Sequence, residues 1–171
     1  MTGSGSSYVA LSLSFVILLF VLTGCSSGGK DIGCPFTELS WDASYEDMIG
    51  LEGEEYETYD SIYKGLTYTY PKEYLGKPGM IKYMYDADGK LCNVSWAYTG
   101  NDAEEVLTVY RAVCDDTVER HGQSTSDDGI GNYCEMWVSE GGTVMANAVI
   151  TNDTTVMQIA YMSADVSKQG K

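Results

Sequence analysis

Alternating apolar and polar residues between positions 66 and 98 predict a three-stranded antiparallel meander. Pro71 is expected to end the first strand, and Lys77-Pro78-Gly79 and Asp86-Ala87-Asp88-Gly89 are expected to form the turns. One face carries mostly aromatic side chains: Leu66, Tyr68, Tyr70, Ile81, Tyr83, Tyr85, Cys92, Val94, Trp96 and Tyr98. The other face carries Thr67, Thr69, Lys82, Asn93 and Ser95. The aromatic face is therefore predicted to form the core and the polar face to meet solvent.

Two segments have the features of helices. Ser44 and Asp47 form a capping-box pattern, which predicts a short helix that runs through Leu51. Asn101 and Glu104 form a second capping box, and Gly122 is a stop signal just after His121. Between these signals lies an apolar stripe at helical spacing, made of Val106, Leu107, Tyr110, Val113, Cys114, Thr117 and Val118. We interpret His121 as a helix-end residue.

A second meander is predicted near the end of the chain. Its strands cover about 132–139, 143–151 and 154–162, and the first of them directs Cys134, Met136 and Val138 to one side. The predicted order is therefore α-βββ-α-βββ. We expect an α+β fold in which two helices pack on one face of an antiparallel sheet. The repeated order suggests a tandem pseudo-repeat.

The N-terminus carries a membrane signal. Residues 8–22 are an apolar run with the length of a signal-peptide core, too short for a typical spanning helix. Leu22-Thr23-Gly24-Cys25 follows, and this motif resembles the bacterial lipoprotein signal. The resemblance implies that residues 1–24 are removed and that Cys25 is acylated, with palmitate as the expected acyl group. We expect a tether over 25–33, a single α+β domain over 34–164, and a frayed tail over 165–171. The protein would then be lipid-anchored at the cell membrane and face away from the cytoplasm.

Charge narrows the classes of function. The chain has a formal net charge of −15, and none of the first 24 residues is charged. Nucleic acid is therefore disfavoured as a partner, and the membrane contact is assigned to the lipid on Cys25. No Lys or Arg occurs between Asp31 and Tyr63. The most acidic segment is 52–60, which we interpret as a solvated loop or edge, with Glu54, Glu55 and Glu57 as candidate contacts for a protein partner.

The cysteines other than Cys25 are candidates for disulfides. There are four of them: Cys34, Cys92, Cys114 and Cys134. An even number in an extracytoplasmic protein favours two disulfides, and four cysteines can be paired in three ways. The predicted facing of helix and strand favours Cys114–Cys134, which leaves Cys34–Cys92. His121 is the single histidine, so a zinc site is not expected. We predict no catalytic residues, no metal site and no cofactor, because the chain contains none of the common motifs.

Several segments together resemble small uncharacterised lipoproteins of Gram-positive gut bacteria. They are the lead-in from Phe36 to Trp41, the Tyr-rich strand before Gly76, the Asp-x-Asp-Gly hairpin and the helix that ends in His121-Gly122. The architecture is similar to the β-lactamase-inhibitor-like fold and to the small outer-membrane-assembly lipoproteins. This resemblance implies helices packed on an antiparallel sheet and a role in binding other proteins.

Two functions remain open from the sequence. The first is a non-catalytic, envelope-associated lipoprotein that binds a protein partner. The alternative is a lipoprotein that binds a glycan or small ligand through an exposed aromatic sheet face, formed by Tyr68, Tyr70, Tyr83, Tyr85, Trp96 and Tyr98. Burial of these rings would argue against the alternative. An enzyme is not expected.

Overall fold

The computed structural model describes residues 31–125 and 133–167. The strands of this part of the chain form one antiparallel sheet in the order β1-β2-β3-β4-β7-β6-β5. In chain order they are β1 (Glu57–Asp60), β2 (Lys64–Tyr74), β3 (Lys77–Asp86), β4 (Leu91–Thr99), β5 (Cys134–Ser139), β6 (Gly142–Ile150) and β7 (Thr155–Ser163). Two meanders, β2-β3-β4 and β5-β6-β7, therefore meet where β4 pairs with β7.

The helices are α1 (Tyr45–Glu52), α2 (Ala103–His121) and the single turn α3 (Ala164–Ser167). The Ser44–Asp47 capping box is confirmed, because the Ser44 N–H donates to Asp47 Oδ2 at 2.9 Å and the Asp47 N–H donates to Ser44 Oγ at 3.2 Å. The cap of α2 lies one residue later than predicted. Asp102 accepts from the Glu105 N–H at 2.9 Å.

An α+β fold with an antiparallel sheet is confirmed, but the predicted order of elements is incomplete. The prediction did not include β1, because the acidic segment has no alternation of apolar and polar residues. It also did not include α3. The predicted frayed tail begins inside α3, and residues 168–171 lie outside the described ranges. Strand β2 also continues past Pro71. Because β1 pairs only with residues 66–69, β2 is an edge strand beyond Thr69, where proline is tolerated.

The turn between β2 and β3 also differs from the prediction. It lies at Leu75-Gly76, where Tyr74 pairs with Lys77, and the segment Lys77–Gly79 belongs to β3. Leu75 has a φ of 51° and Gly76 a φ of 70°. Two successive left-handed residues give a tight hairpin turn whose twist matches that of the flanking strands.

The core lies on the sheet face that packs against α1 and α2, which we call the inner face. Tyr68, Tyr83, Val94 and Tyr161 form one register row across β2, β3, β4 and β7. Helix α1 contributes the fully buried Met48, and α2 contributes Val106, Val109 and Val113. The lead-in crosses the same face, with the Phe36 ring 5.6 Å from that of Tyr161.

The opposite face, which we call the outer face, is not the solvated surface that the sequence predicted. Thr67, Thr69, Asn93 and Ser95 are buried there, and of the predicted set only Lys82 is partly exposed. The Asn93 amide donates to the Tyr63 hydroxyl at 3.2 Å, and Lys82 Nζ lies 5.9 Å from the centre of the Tyr59 ring. Longer side chains such as Tyr63 therefore cover the small polar residues of this face. For this reason the alternation of polar and apolar residues did not predict which residues are exposed.

Candidate functional site

The two lateral edges of the sheet differ. On β5 the Thr125 N–H donates to the Met136 carbonyl oxygen at 2.8 Å, and the Val138 N–H donates to Thr125 Oγ1 at 3.0 Å. The chain just after α2 thus covers this edge. At the other end, β1 pairs only with β2, and no backbone hydrogen bond in the described ranges covers its free side. Strand β1 is therefore the open edge.

The open edge is strongly acidic. Glu54 and Glu55 lie in the connection from α1 to β1, and Glu57 begins β1. All three side chains are exposed, as are all four residues of β1. None of the ion pairs in the described ranges involves them. We call Glu54, Glu55, Glu57 and Asp60 the acidic edge.

A buried polar network fixes where the acidic edge begins. The Glu52 side chain is only 8% exposed, and its Oε1 accepts from Lys72 Nζ at 2.8 Å and from the Tyr83 hydroxyl at 2.6 Å. The Tyr70 hydroxyl donates to the Gly53 carbonyl oxygen at 3.0 Å. Burial first, and then the hydrogen bond to Glu52, raise the pKa of Tyr83. Glu52 is thus a structural carboxylate that links α1 to the sheet. The sequence analysis did not identify this role, because Glu52 belongs to the acidic segment 52–60 that was interpreted as solvated.

The aromatic residues of the alternative hypothesis are buried on the inner face, as expected. The six rings of Tyr68, Tyr70, Tyr83, Tyr85, Trp96 and Tyr98 are at most 8% exposed. The hydroxyls of four of these rings, Tyr70, Tyr83, Tyr85 and Tyr98, donate to residues outside the sheet, as in the bond of 3.1 Å from the Tyr85 hydroxyl to the Ser44 carbonyl oxygen. These rings therefore do not form an exposed stacking platform.

The cysteines of the described residues form no disulfide. Cys25 lies outside the described residues, while Cys34, Cys92, Cys114 and Cys134 are free, so neither predicted bridge is formed. The expected facing of Cys134 is wrong. It pairs with Asn147 and belongs to the outer face, whereas Cys114 packs with the core on the inner side. The inward-facing residue of this part of β5 is Trp137, which is buried. Because alternate residues of a strand face opposite sides and Trp137 is three residues from Cys134, Cys134 faces outward.

Burial determines the protonation state of three of these thiols. It raises the pKa of Cys34, Cys92 and Cys114 to about 12 each. They are therefore protonated at neutral pH and poor nucleophiles, because the thiolate is the reactive form. Cys92 donates to the Met84 carbonyl oxygen at 3.2 Å. None of the three has the environment of a catalytic cysteine.

A cavity of about 280 Å³ opens at the C-terminal end of α2. Its lining includes Trp41, His121, Trp137 and Tyr161. His121 ends α2, as predicted, and partial burial lowers its pKa, so that the neutral imidazole is favoured. The Tyr161 hydroxyl is buried and makes no hydrogen bond within the described chain. The lining also includes the carboxylate of Asp31 and the hydroxyl groups of Thr125, Ser139 and Thr143.

In the described ranges, no three His, Cys, Asp or Glu side chains lie close enough to hold a metal ion together. None of the helices there is both long and apolar enough to span a membrane. Comparisons of the chain with protein-family models, curated proteins and solved structures find no match.

Proposed function

We propose that this protein is a lipoprotein, held on the outer side of a cell membrane, whose folded domain binds another protein without catalysing a reaction. The open acidic edge carries the proposal: no backbone hydrogen bond covers the free side of β1 in the described ranges, and none of the edge carboxylates there forms an ion pair. Because the chain has a net charge of −15, attraction to anionic lipid is unfavourable, and the acyl chains on Cys25 would supply membrane attachment.

The anchor has a direct test. Changing Cys25 to Ser removes the atom that receives the lipid, so we expect the variant to leave the membrane fraction or to remain unprocessed. Fractionation of cells and metabolic labelling with a fatty acid measure this. Cys134→Ser is the matched control and should stay lipidated at the membrane. Equal labelling of the Cys25→Ser variant and the natural chain would exclude the anchor.

The expected partner is a protein with a basic, extended segment. An open edge strand offers unpaired N–H and C=O groups to another chain, and short charged edges resist non-specific pairing. Glu54, Glu55 and Glu57 would attract Lys and Arg side chains flanking such a segment. Charge complementarity of this kind mainly raises the rate of association and selects the partner.

Charge reversal tests this contact. We expect the triple variant Glu54→Lys, Glu55→Lys and Glu57→Lys of soluble 31–171 to lose the partner that the natural sequence retains from an envelope extract. The matched control reverses Asp115, Glu119 and Glu140, which are also exposed but lie on α2 and the β5–β6 turn. Both variants change the net charge equally.

The outcome separates a local contact from a general charge effect. Loss of the partner only in the edge variant supports the proposal, and this partner should also dissociate as salt is raised. Equal retention by both triple variants would exclude the acidic edge. Equal loss in both would show that bulk charge, rather than this surface, governs capture.

We also infer that the domain is a tandem pseudo-repeat, each half being a helix followed by a three-stranded meander. The sheet order supports this. A two-fold rotation between β4 and β7 would exchange β2-β3-β4 with β5-β6-β7, and the antiparallel pairing of Val94 with Tyr161 fits such an axis. The similarity to β-lactamase-inhibitor-like and assembly lipoproteins remains part of this proposal.

A further inference from the structure

The outer face of the sheet is almost free of charge. Three register rows cross the neighbouring strands β3, β4, β7, β6 and β5: one runs from Met84 to Val138, one from Lys82 to Met136 and one from Met80 to Cys134. Lys82 is the only charged residue in these rows. The chain has 25 Asp and Glu residues, so a sheet face without any of them in three rows contrasts sharply with the acidic edge.

Methionine takes the place of charged residues on this face. The three rows contain five of the eight methionines of the chain, and each of the five is partly exposed: Met80, Met84, Met136, Met145 and Met162. Val138, at the end of the first row, is 51% exposed. A solvated sheet face usually carries polar and charged residues, whereas the centre of a protein–protein interface is depleted of Lys, Asp and Glu and enriched in Met. The outer face therefore has the composition of a contact surface.

The single lysine leaves the centre of the face neutral. Lys82 Nζ lies 5.9 Å from the centre of the Tyr59 ring, and Tyr59 belongs to β1 at the edge of the sheet. The charge is therefore directed away from β4 and β7. At the centre of the face Ser95 pairs with Ala160, and both side chains are small. Helices α1 and α2 pack on the inner face, so neither of them covers these rows.

A second copy of this chain fits the outer face better than a charged partner does. The chain has a net charge of −15, so two copies repel each other wherever their carboxylates approach. The three rows contain no carboxylate to oppose its counterpart. A neutral face offers no complement to a charged partner, whereas a two-fold dimer brings the same neutral patch to both sides. We propose that the outer face is a homodimer interface, in which two copies pack sheet against sheet.

The face is large enough for a reversible dimer. Strands lie about 4.8 Å apart and rise about 3.3 Å per residue, so the three rows cover roughly 500 Å² of flat sheet. The relief of the side chains raises the accessible area towards the roughly 600 Å² per partner that small, transient interfaces bury. Two sheets packed face to face keep their strands within about 30° of each other. We therefore expect a dimer that dissociates on dilution.

The proposed anchor is compatible with this dimer. Asp31, the first described residue, lines the same cavity as His121 and Gly142, at the end of the sheet where β6 begins and β7 ends. A two-fold axis parallel to the strands brings this end of both copies to the same side. Both copies could then be held in one membrane. This compatibility rests on the proposed function, but the interface itself does not.

Sedimentation equilibrium of reduced 31–171 measures the association. We expect the molar mass to approach that of a dimer as the concentration rises. Ala97→Glu adds a carboxylate beside Gln158 in the third row, and the dimer would contain two of them, so the dissociation constant should rise by about tenfold or more. Ala112→Glu is the matched control. It makes the same change at an exposed position of α2 and should dimerise as the natural chain does.

Methionine methyl signals locate the contact. In a dilution series of 31–171 labelled with ¹³C at these methyl groups, we expect the signals of the five outer-face methionines to shift with concentration. The signals of Met48 and Met157, which have no exposed surface, should stay in place. Amide spectra establish that each variant is folded. If Ala97→Glu is not, Gln158→Glu, which keeps the shape of the side chain, takes its place with the same expectation.

Three results would overturn the dimer. The first is a monomeric mass up to about 1 mM, the concentration range that tethering produces. The second is equal dimerisation of Ala97→Glu and the natural chain, which would assign the association to another surface. The third is a monomeric chain that retains a foreign protein from an envelope extract and loses it only in Ala97→Glu.

The acidic edge is tested separately from this interface. The triple variant Glu54→Lys, Glu55→Lys and Glu57→Lys should dimerise as the natural chain does, because none of these residues lies in the three rows. Absence of the dimer therefore leaves the proposed function standing, and failure of the acidic edge leaves the dimer standing.

Discussion

Changing Trp96 to Ala is expected to lower the free energy of unfolding by about 3–5 kcal/mol, the usual range for removing a large buried aromatic side chain. Trp96 has no exposed surface and lies on β4, which pairs with the second meander through β7. Its ring is 5.3 Å from that of Tyr74 and 6.3 Å from that of Tyr98. The indole N–H donates to the Lys72 carbonyl oxygen at 2.9 Å. The substitution removes both this packing and this hydrogen bond.

Such a loss is a large fraction of the stability of an ordinary domain, which is about 5–15 kcal/mol. Urea denaturation followed by circular dichroism measures it. Trp96→Phe is the control. It retains a ring and loses mainly the hydrogen bond, so a smaller loss of about 1–3 kcal/mol is expected. A loss below about 1 kcal/mol for Trp96→Ala would mean that the ring does not occupy the centre of the core.

Changing Gly65 to Ala is expected to destabilise the protein by about 1–3 kcal/mol or more, as overpacking does. Gly65 lies at the start of β2, where the register with β3 shifts between Lys64 and Thr67. A Cβ atom there would lie 2.1 Å from the Asp86 carbonyl oxygen and 2.5 Å from that of Tyr85. Both obstacles are backbone atoms of the neighbouring strand, so the pairing of β2 with β3 must shift.

Gly50 provides the matched control, because the same substitution should have the opposite sign there. It lies inside α1, and no atom is within 4 Å of the position that its Cβ would take. Alanine in a helix is favoured over glycine by about 1 kcal/mol. Urea denaturation of both variants should therefore give a loss for Gly65→Ala and a gain for Gly50→Ala. A gain in both would contradict the close approach of β2 and β3 at Gly65.

The sequence predicted those elements whose signals are local. The capping pattern of Ser44 and Asp47 predicted the start of α1, and Gly122 predicted the end of α2. The alternation of apolar and polar residues predicted the strands of both meanders. The elements it missed lack such signals. Strand β1 carries four exposed residues and no apolar alternation, and Pro71 is tolerated only because β1 leaves that part of β2 at an edge.

The location of the candidate site follows more from strand pairing than from the local sequence pattern. Glu54, Glu55 and Glu57 could be selected from the run of acids, but the open edge beside them follows from the pairing of β1 with β2. The burial of Ser95 likewise depends on side chains from other strands.

Photo-crosslinking in cells tests most directly whether the acidic edge contacts a protein partner. A photoreactive amino acid replaces Thr58, an exposed residue of β1, in the full chain, and Arg111, exposed on α2, in the control. The account predicts a discrete protein adduct from position 58 that is absent from position 111 and lost when Glu54, Glu55 and Glu57 are changed to Lys. An adduct from position 111 alone, or from neither position, would contradict it.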